Sequence, residues 1–327
     1  MNTICRRKKK RLFIFFFLFP GMVIYTCFLL LPILDSMRLS FYSTKEDPSR
    51  LSIESDGIKK EEVQRKGLLP DKFVGFGNYK KLFTKPAFNK KLTNAFFNNI
   101  KFFFIVTFIQ NIMGFFMAYV LTRKMLGMKF FRKISFIPTT ISVLVVGYIF
   151  RLILNPRWGI LNKLLYLIGM TDFKTMSWLG DPGTALPVLA IVVSWQFIGE
   201  SILFYTAGMD AIPNEVLEAA KLDGVSPIQE IKYIILPSIM PIVGMVTILI
   251  FIGDFTQFDI VYAMATSQAN PEFATDLFGS LFYRVTFFTS VRGGWGMGMG
   301  AAVSTIMFLI VFVGVVGWLA LFRKKEN

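Results

Sequence analysis

The sequence predicts an all-α integral membrane protein with six transmembrane helices. Of its 327 residues, 54% are hydrophobic and only 17% are charged, whereas a soluble domain has about 45–50% and about 25%. The mean hydropathy is +0.55. The apolar residues gather into six stretches of about 20, the length that a helix needs to cross about 30 Å of hydrocarbon. The absence of histidine excludes imidazole from any catalytic or metal-binding role.

The six predicted spans are residues 12–34, 96–121, 134–154, 184–208, 238–265 and 299–322. Basic residues form residues 6–11 before the first span and 323–325 after the last. Short segments rich in lysine and arginine beside the end of a span are retained in the cytoplasm. We therefore expect a multi-pass protein of the bacterial-type cytoplasmic membrane, with residues 1–11 and 323–327 as cytoplasmic tails.

Two features of the charge distribution bear on this orientation. The connection 35–95, placed outside, carries 13 Lys and Arg, but eight Asp and Glu dilute them and loops of this length count little. The net charge of +15 lies mainly beside the spans and accompanies no recognition motif for nucleic acid, so it indicates membrane flanks.

The first span could be a cleaved signal peptide, but its long core lacks a small-x-small site and indicates a retained anchor.

The connection 209–237, between spans four and five, is the most informative one. Pro213 suits the first turn of a short helix, Glu215 lies where a carboxylate favours the helix dipole, and Gly224 is placed to end the helix. Pro227 is placed to open a second helix that continues into span five. From these residues alone, the segment is either a compact projection for another protein or an ordinary connector on the membrane surface.

The same connection contains a long motif of the form EAA-x-x-DG followed by a distant L-P. It resembles the EAA loop of the permeases of binding-protein-dependent ABC importers, through which such permeases couple to a separate ATPase. The resemblance assigns ATPase coupling to Glu218, Ala219, Ala220, Asp223, Gly224 and Pro237. The small alanine side chains would permit close approach by the ATPase.

The resemblance covers most of the chain. Residues 73–79 resemble the segment before span two in the carbohydrate branch (maltose, glycerol-phosphate and multiple-sugar permeases), and Arg132, Pro138, Trp195 and residues 300–304 also fit its first permease. It implies a permease for a sugar or oligosaccharide that forms half of the pathway. The implied partners are a second homologous permease, two ABC ATPase subunits, an extracellular solute-binding protein and the lipid bilayer, with no nucleic acid.

The chain itself has no G-x-x-x-x-G-K-[ST] motif for binding nucleotide phosphates. We therefore expect a transport subunit and not an enzyme, with ATP and Mg²⁺ used by the partner ATPase and with no metal or cofactor of its own. The chain departs from the family at residues 268–271, where a Gly-Gly-Pro turn is common, and at the longer insertion 43–72.

Polar residues inside the spans are candidates for the substrate pathway, because charge inside a bilayer usually faces a cavity or a partner. Asp254 and Gln257 are spaced i, i+3 and Gln196 and Glu200 i, i+4, so each pair is predicted to share a helix face. Carboxylates and amides bind hydroxyls, and Trp195 could stack on a sugar ring. Such groups also join helices to each other, and Glu200 suits a packing or gate position. The predicted pathway residues are Asp254, Gln257, Trp195, Gln196 and Asn111.

Two other functions are compatible with a polytopic chain of this kind. The same importer could carry a different solute, such as a phosphodiester or an amino acid; a phosphorylated solute would require a deep cation, and Arg151 lies near the outer end of span three. A membrane-embedded aspartyl protease would use two carboxylates on separate helices. Asp254 and Asp259 are predicted on one helix at i, i+5, facing different directions, which disfavours that class.

Overall fold

The computed structural model describes residues 15–44, 70–123, 127–173, 175–287 and 296–323. The elements in chain order are α1 (Phe15–Leu39), β1 (Tyr42–Thr44), β2 (Pro70–Phe73), α2 (Gly77–Thr84), α3 (Pro86–Thr122), α4 (Met128–Phe136), α5 (Val143–Ile153), α6 (Ile160–Leu167), α7 (Pro182–Asp210), α8 (Asn214–Leu222), α9 (Pro227–Phe255), α10 (Asp259–Ala265), α11 (Phe278–Phe287) and α12 (Met297–Arg323). The helices confirm the predicted class, to which the antiparallel β1–β2 ribbon is an addition. The basic run 6–11 and most of the 43–72 insertion lie outside the described residues.

Five helices among the described residues are long and apolar enough to cross a membrane: α1, α3, α7, α9 and α12. They correspond to the predicted spans one, two, four, five and six. The bounds differ at the 35–95 connection, because α1 extends to Leu39 and α3 begins already at Pro86. The ribbon and α2 lie between them. A short helix, α6, lies in the connection between α5 and α7.

The third predicted span, 134–154, is wrong as a continuous helix. A 3₁₀ turn at Ile137–Thr140 separates α4 from α5, and the helical segments before and after the break meet at 95°. Pro138 lies in this turn and cannot donate a backbone hydrogen bond, and Ile141 is extended. With 11 residues, α5 reaches only about 16 Å, roughly half of the hydrocarbon thickness. The span is therefore a bent pair of helices.

The fifth predicted span, 238–265, also breaks. α9 ends before residues 256–258, which are not helical, and α10 follows them. Gly279 of α11 packs on this break so closely that a Cβ atom would lie 2.4 Å from the carbonyl oxygen of Gln257. The predicted shared helix face of Asp254 and Gln257 is thus wrong, since Asp254 lies in the last turn of α9 and Gln257 lies beyond it.

By Cα packing the chain divides into two units, residues 1–85 with 285–306 and residues 86–284 with 307–327. In the second unit, α3, α7 and α9 bury a core that includes Phe102, Leu189 and Tyr205. Small residues allow the helix axes to approach, as is usual in membranes. At Gly114 of α3, for example, an added Cβ would lie 2.9 Å from the Cβ of Ser201 on α7.

In the first unit, the segment 73–79 ties the end of α1 to the ribbon. The amide Nδ2 of Asn78 donates to the carbonyl oxygens of Ser40 and Tyr42, both at 2.8 Å. The hydroxyl of Tyr79 donates to the Oγ of Ser40 at 2.7 Å. These contacts give the segment 73–79 a structural role, because they satisfy backbone carbonyls that accept no hydrogen bond within a helix.

Candidate functional site

The 209–237 loop has the two-helix form that the sequence predicts. α8 ends at Leu222 with Asp223 as its C-cap, and Gly224 follows with φ +73°. The amide of Gly224 donates to the carbonyl of Lys221 at 3.1 Å, and that of Val225 donates to the carbonyl of Ala220 at 3.0 Å. These two bonds define a Schellman motif, which satisfies the last carbonyls of a helix and requires a left-handed residue where glycine is preferred.

The second helix of the loop begins with a capping box and continues into the membrane. Ser226 and Gln229 exchange side-chain and backbone hydrogen bonds, so that the free amides at the start of α9 are satisfied. A π-helical turn at Ile231–Ile235 precedes Pro237. Such a turn accommodates the proline, which lacks the amide for an ordinary helical bond. The second helix of the loop is therefore continuous with the membrane-spanning part of α9.

The surface of the loop differs from the small-residue surface expected from the sequence. Ala220 is only 8% exposed, whereas Leu222 is 89% and Ile228 is 77% exposed. These two large apolar side chains flank the Schellman turn at Gly224. These two exposed apolar side chains are available for contact with another protein. The EAA motif did not single them out.

Both ends of the loop are tied to neighbouring helices by ion pairs. Asp210, at the end of α7, lies 3.4 Å from the guanidinium of Arg132 on α4. Glu230, near the start of α9, lies 3.2 Å from the guanidinium of Arg123, which directly follows α3. The Arg123 guanidinium also contacts the hydroxyl of Tyr119 and stacks over its ring at 4.4 Å. The loop is therefore linked to α4 and to the end of α3 as well as to α9.

A cavity of about 290 Å³ lies between α3, α7 and α9 in the second unit. Its size is close to the lower end of the range of about 300–1,000 Å³ for small-molecule sites. The polar residues that line it are Gln110, Glu200, Ser201, Asp254, Thr256 and Gln257. The apolar residues that line it include Phe197, Phe204, Leu249 and Ile250. The cavity therefore combines hydrogen-bonding groups with flat aromatic surface.

Asp254 is the most buried acidic group of this cavity. It is 4% exposed, and its Oδ2 atom has no hydrogen-bond partner among the described residues. Gln257 lines the same cavity although it lies outside the helix. Asp259 is exposed on α10, so the prediction that it shares a helix with Asp254 is wrong. The break at residues 256–258 separates the two carboxylates.

The other predicted pathway residues contact neighbouring helices. The Nε2 of Gln196 donates to the carbonyl of Ile141 at 2.9 Å, which satisfies a backbone group freed by the bend of the third span. Asn111 donates to the hydroxyl of Thr247 at 3.0 Å and accepts a bond from Tyr205. These side chains hold helices together.

Trp195 lies outside the cavity and Glu200 lines it, which is the reverse of what the sequence predicts. Trp195 is 45% exposed and packs edge-on against Phe150, with ring centroids 5.2 Å apart, outside the cavity lining. Glu200, expected as a gate or packing residue, lines the cavity with Asp254. Gln196 and Glu200 share a helix as predicted, but the first is buried against the bend and the second faces the cavity.

A buried ion pair that sequence reasoning missed holds the segment after α10. Arg284 and Asp276 are 7% and 0% exposed in their side chains and pair directly. Burial raises the pKa of Asp276, and the charge of Arg284 opposes this shift. The preceding residues include four non-glycine residues with positive φ: Thr266, Ala269, Glu272 and Phe273. The Nδ2 of Asn98 binds the carbonyls of Ala274 and Asp276, both at 3.1 Å, and fixes the segment.

A family model for the inner membrane component of binding-protein-dependent transport systems matches residues 91–325, more than half of the chain. The protein belongs to this family. It is therefore an integral membrane permease component of an ABC transporter, and the loop and the cavity both lie within the matched part.

The relatives are similar along nearly their whole length. The probable ABC transporter permease protein YurN of Bacillus subtilis is 30% identical over 90% of this chain and 91% of its own. The lactose transport system permease protein LacF of Rhizobium radiobacter is 26% identical over the full length of both chains. A solved bacterial ABC transporter involved in the import of the acidic polysaccharide alginate has a chain of the same fold, with a TM-score of 0.76 at 18% identity over 99% of both chains.

Proposed function

We propose that this chain is a permease subunit of an ATP-driven importer for a sugar or oligosaccharide and forms half of the translocation pathway. The full-length similarity to a lactose permease supports this substrate class. The cavity supports it as well, because amides and carboxyls bind sugar hydroxyls and Phe197 and Phe204 offer surface for the apolar faces of a sugar ring.

A different solute class is less compatible with the same cavity. A phosphodiester requires arginine or lysine near its charge, and none of the described residues that line the cavity is basic. Arg151, the cation considered from the sequence, is exposed and lines a separate depression beside Thr266 and Asn270. These observations favour a sugar over a phosphodiester.

The proposed complex contains a second homologous permease, two ABC ATPases and an extracellular solute-binding protein. The missing P-loop motif supports a separate ATPase as the site of ATP and Mg²⁺ use. The 209–237 loop and both termini are then cytoplasmic, in agreement with the basic residues that flank the spans. The coupling residues would be those of the EAA motif, from Glu218 to Gly224, together with Pro237.

One observation carries the coupling role: Leu222 and Ile228 are exposed on a loop whose backbone is fully hydrogen-bonded at its turn. In our proposal these side chains enter an apolar groove of the ATPase, where burial of each contributes about 1.5–3 kcal/mol. When the ATPase dimer closes, the loop moves as a rigid body and carries α9 with it. The cavity beside Asp254 then changes its access from one side of the membrane to the other.

Substitution at Leu222 tests this docking. We expect Leu222→Asp to abolish co-purification of the ATPase and sugar-stimulated ATP hydrolysis, because a carboxylate cannot enter an apolar groove. Leu222→Met, which keeps a large apolar side chain, should retain more than about half of both. Membrane abundance should be equal for the two variants, since Leu222 contributes little to the fold. Normal ATPase recovery with Leu222→Asp would show that the loop does not dock through this surface.

A further inference from the structure

The charge of the cavity narrows the substrate class. Two carboxyl groups, those of Glu200 and Asp254, line it, and no lysine or arginine lies among its described lining residues. Gln110, Ser201, Thr256 and Gln257 contribute neutral groups only. Carboxyl groups without a counter-charge disfavour an anionic ligand, whereas a cationic ligand stabilises them in their ionised form.

The Oδ2 atom of Asp254 has no hydrogen-bond partner among the described residues and indicates where a ligand group can bind. Asp254 is 4% exposed, and Oδ2 has no donor among the described residues. Leaving a buried carboxylate oxygen without a partner is costly, and proteins usually pair it. The nearby amide of Asn99 on α3 donates to the backbone carbonyl of Asp254 at 2.9 Å and not to its carboxyl group. A ligand that carries a donor group can satisfy this oxygen.

We propose that the cavity binds the protonated amino group of an amino sugar between Glu200 and Asp254 and discriminates against sugars that carry a carboxylate. This inference rests on the proposed sugar-import function and adds a charge preference to it. An ammonium group supplies three donors and a positive charge, which matches one unpaired carboxylate oxygen and one exposed carboxylate. The preference is the reverse of that expected for the structurally similar importer of acidic alginate.

The cavity of about 290 Å³ is close to the lower end of the range of small-molecule sites, and its lining offers contacts to one sugar ring. Phe197 and Phe204 would contact the apolar face of the ring, and Gln257 would bind a hydroxyl. The amino group is then the feature on which selection depends. A neutral sugar still fits but leaves the Asp254 oxygen less well satisfied.

The test compares uptake of one disaccharide in three forms, with a hydroxyl, an amino group or a carboxylate at the same position. Cells carry the complete importer with wild-type permease, Glu200→Gln or Asp254→Asn, which keep the shape of the side chain and remove its charge. We expect the ratio of amino to carboxylate uptake to fall at least about 10-fold in each variant, the scale of a charged hydrogen bond. Because the solute-binding protein is the same in every strain, the change in ratio reports the permease alone.

Asp259→Asn is the matched control, because it removes a carboxylate that is exposed and outside the cavity lining; it should keep the wild-type ratio. Glu200→Gln, at an exposed position, keeps the test decisive if Asp254→Asn does not fold. An unchanged ratio in Glu200→Gln, with uptake of the neutral sugar intact, would overturn the charge preference alone. Absence of uptake of all three sugars by the wild type would instead contradict the proposed sugar import.

Discussion

Gly224 determines the shape of the 209–237 loop. Its φ of +73° belongs to the left-handed region, and an added Cβ would meet no atom within 4 Å. Space is therefore available for a side chain, and only the backbone conformation restricts the residue. This separates two effects that glycine substitutions usually combine, strain and steric collision.

Substituting Gly224 therefore measures the contribution of the Schellman turn to coupling. Gly224→Val should destabilise the turn by about 1–2 kcal/mol, because a β-branched residue is disfavoured at positive φ. We expect sugar-stimulated ATP hydrolysis to fall several-fold while the protein stays in the membrane. Gly224→Asn should retain most of the activity, since asparagine tolerates this conformation. Equal losses in the two variants would indicate that docking, and not the turn, requires glycine.

At the scale of elements, the loop is connected to more than the helices that precede and follow it. Glu230 pairs with Arg123 after α3, and Asp210 pairs with Arg132 on α4. The Glu230 side chain is 12% exposed, so its pair is better shielded from solvent than an ordinary surface pair. These connections give the loop a defined orientation against the membrane helices.

Charge reversal of the Arg123–Glu230 pair tests whether this orientation is needed for transport. Arg123→Glu alone, or Glu230→Arg alone, replaces the ion pair by two like charges. The resulting loss of interaction free energy between the two side chains is on the order of 1 kcal/mol or more. Each should lower stimulated ATP hydrolysis several-fold without loss of complex. The double variant Arg123→Glu with Glu230→Arg should recover part of the activity. Additive losses in the double variant would exclude a direct interaction between the two groups.

The elements themselves could be predicted where a long apolar run was decisive, as in α3, α7 and α12. The two failures have a common cause. Hydropathy does not distinguish a continuous helix from one that bends within the membrane, and the bend at Pro138 and the break at residues 256–258 depend on partners distant in sequence. Gln196 satisfies the carbonyl of Ile141 and Gly279 packs on the second break. Such partners can be identified only once the helices are packed.

The candidate site was predictable to a different extent in its two parts. The EAA motif located the loop and its terminating Gly224, because turn chemistry is encoded locally. The cavity depends on which helices adjoin. Asp254 and Gln257, predicted for the substrate pathway, both line it, but their predicted common helix face was wrong. The pairing of Asp276 with Arg284 carried no local signal, because the two residues lie on either side of the start of α11.

At the scale of the molecule, the proposed permease has one docking loop and forms one half of the translocation pathway. α1 exposes almost all of its large apolar side chains, among them Phe16, Phe17 and Phe28. Lipid or another membrane subunit can cover such a surface. The loop offers a single apolar docking surface, whereas the proposed machine has two ATPases. Function therefore requires a second permease in our proposal.

Assembly can be tested by expressing the chain with and without a homologous permease from the same importer. We expect no sugar uptake and no ATPase stimulation from this chain alone, because one loop occupies only one ATPase. Co-expression should restore both and yield a complex with one copy of each permease and two ATPases, measured by native mass spectrometry. Solute uptake by proteoliposomes that contain only this chain would contradict the half-translocator proposal.

The continuity of α9 has a mechanical consequence. The helix begins at Pro227, beside the exposed Leu222 and Ile228, and ends at Phe255, next to Asp254 of the cavity. At about 1.5 Å per residue, it is a lever about 40 Å long. A tilt of about 10° at the Pro227 end displaces the far end by about 7 Å, a distance on the order of the width of a sugar ring. In the proposed importer, a small rotation where ATP is used would thus be magnified into a displacement of this size beside the cavity.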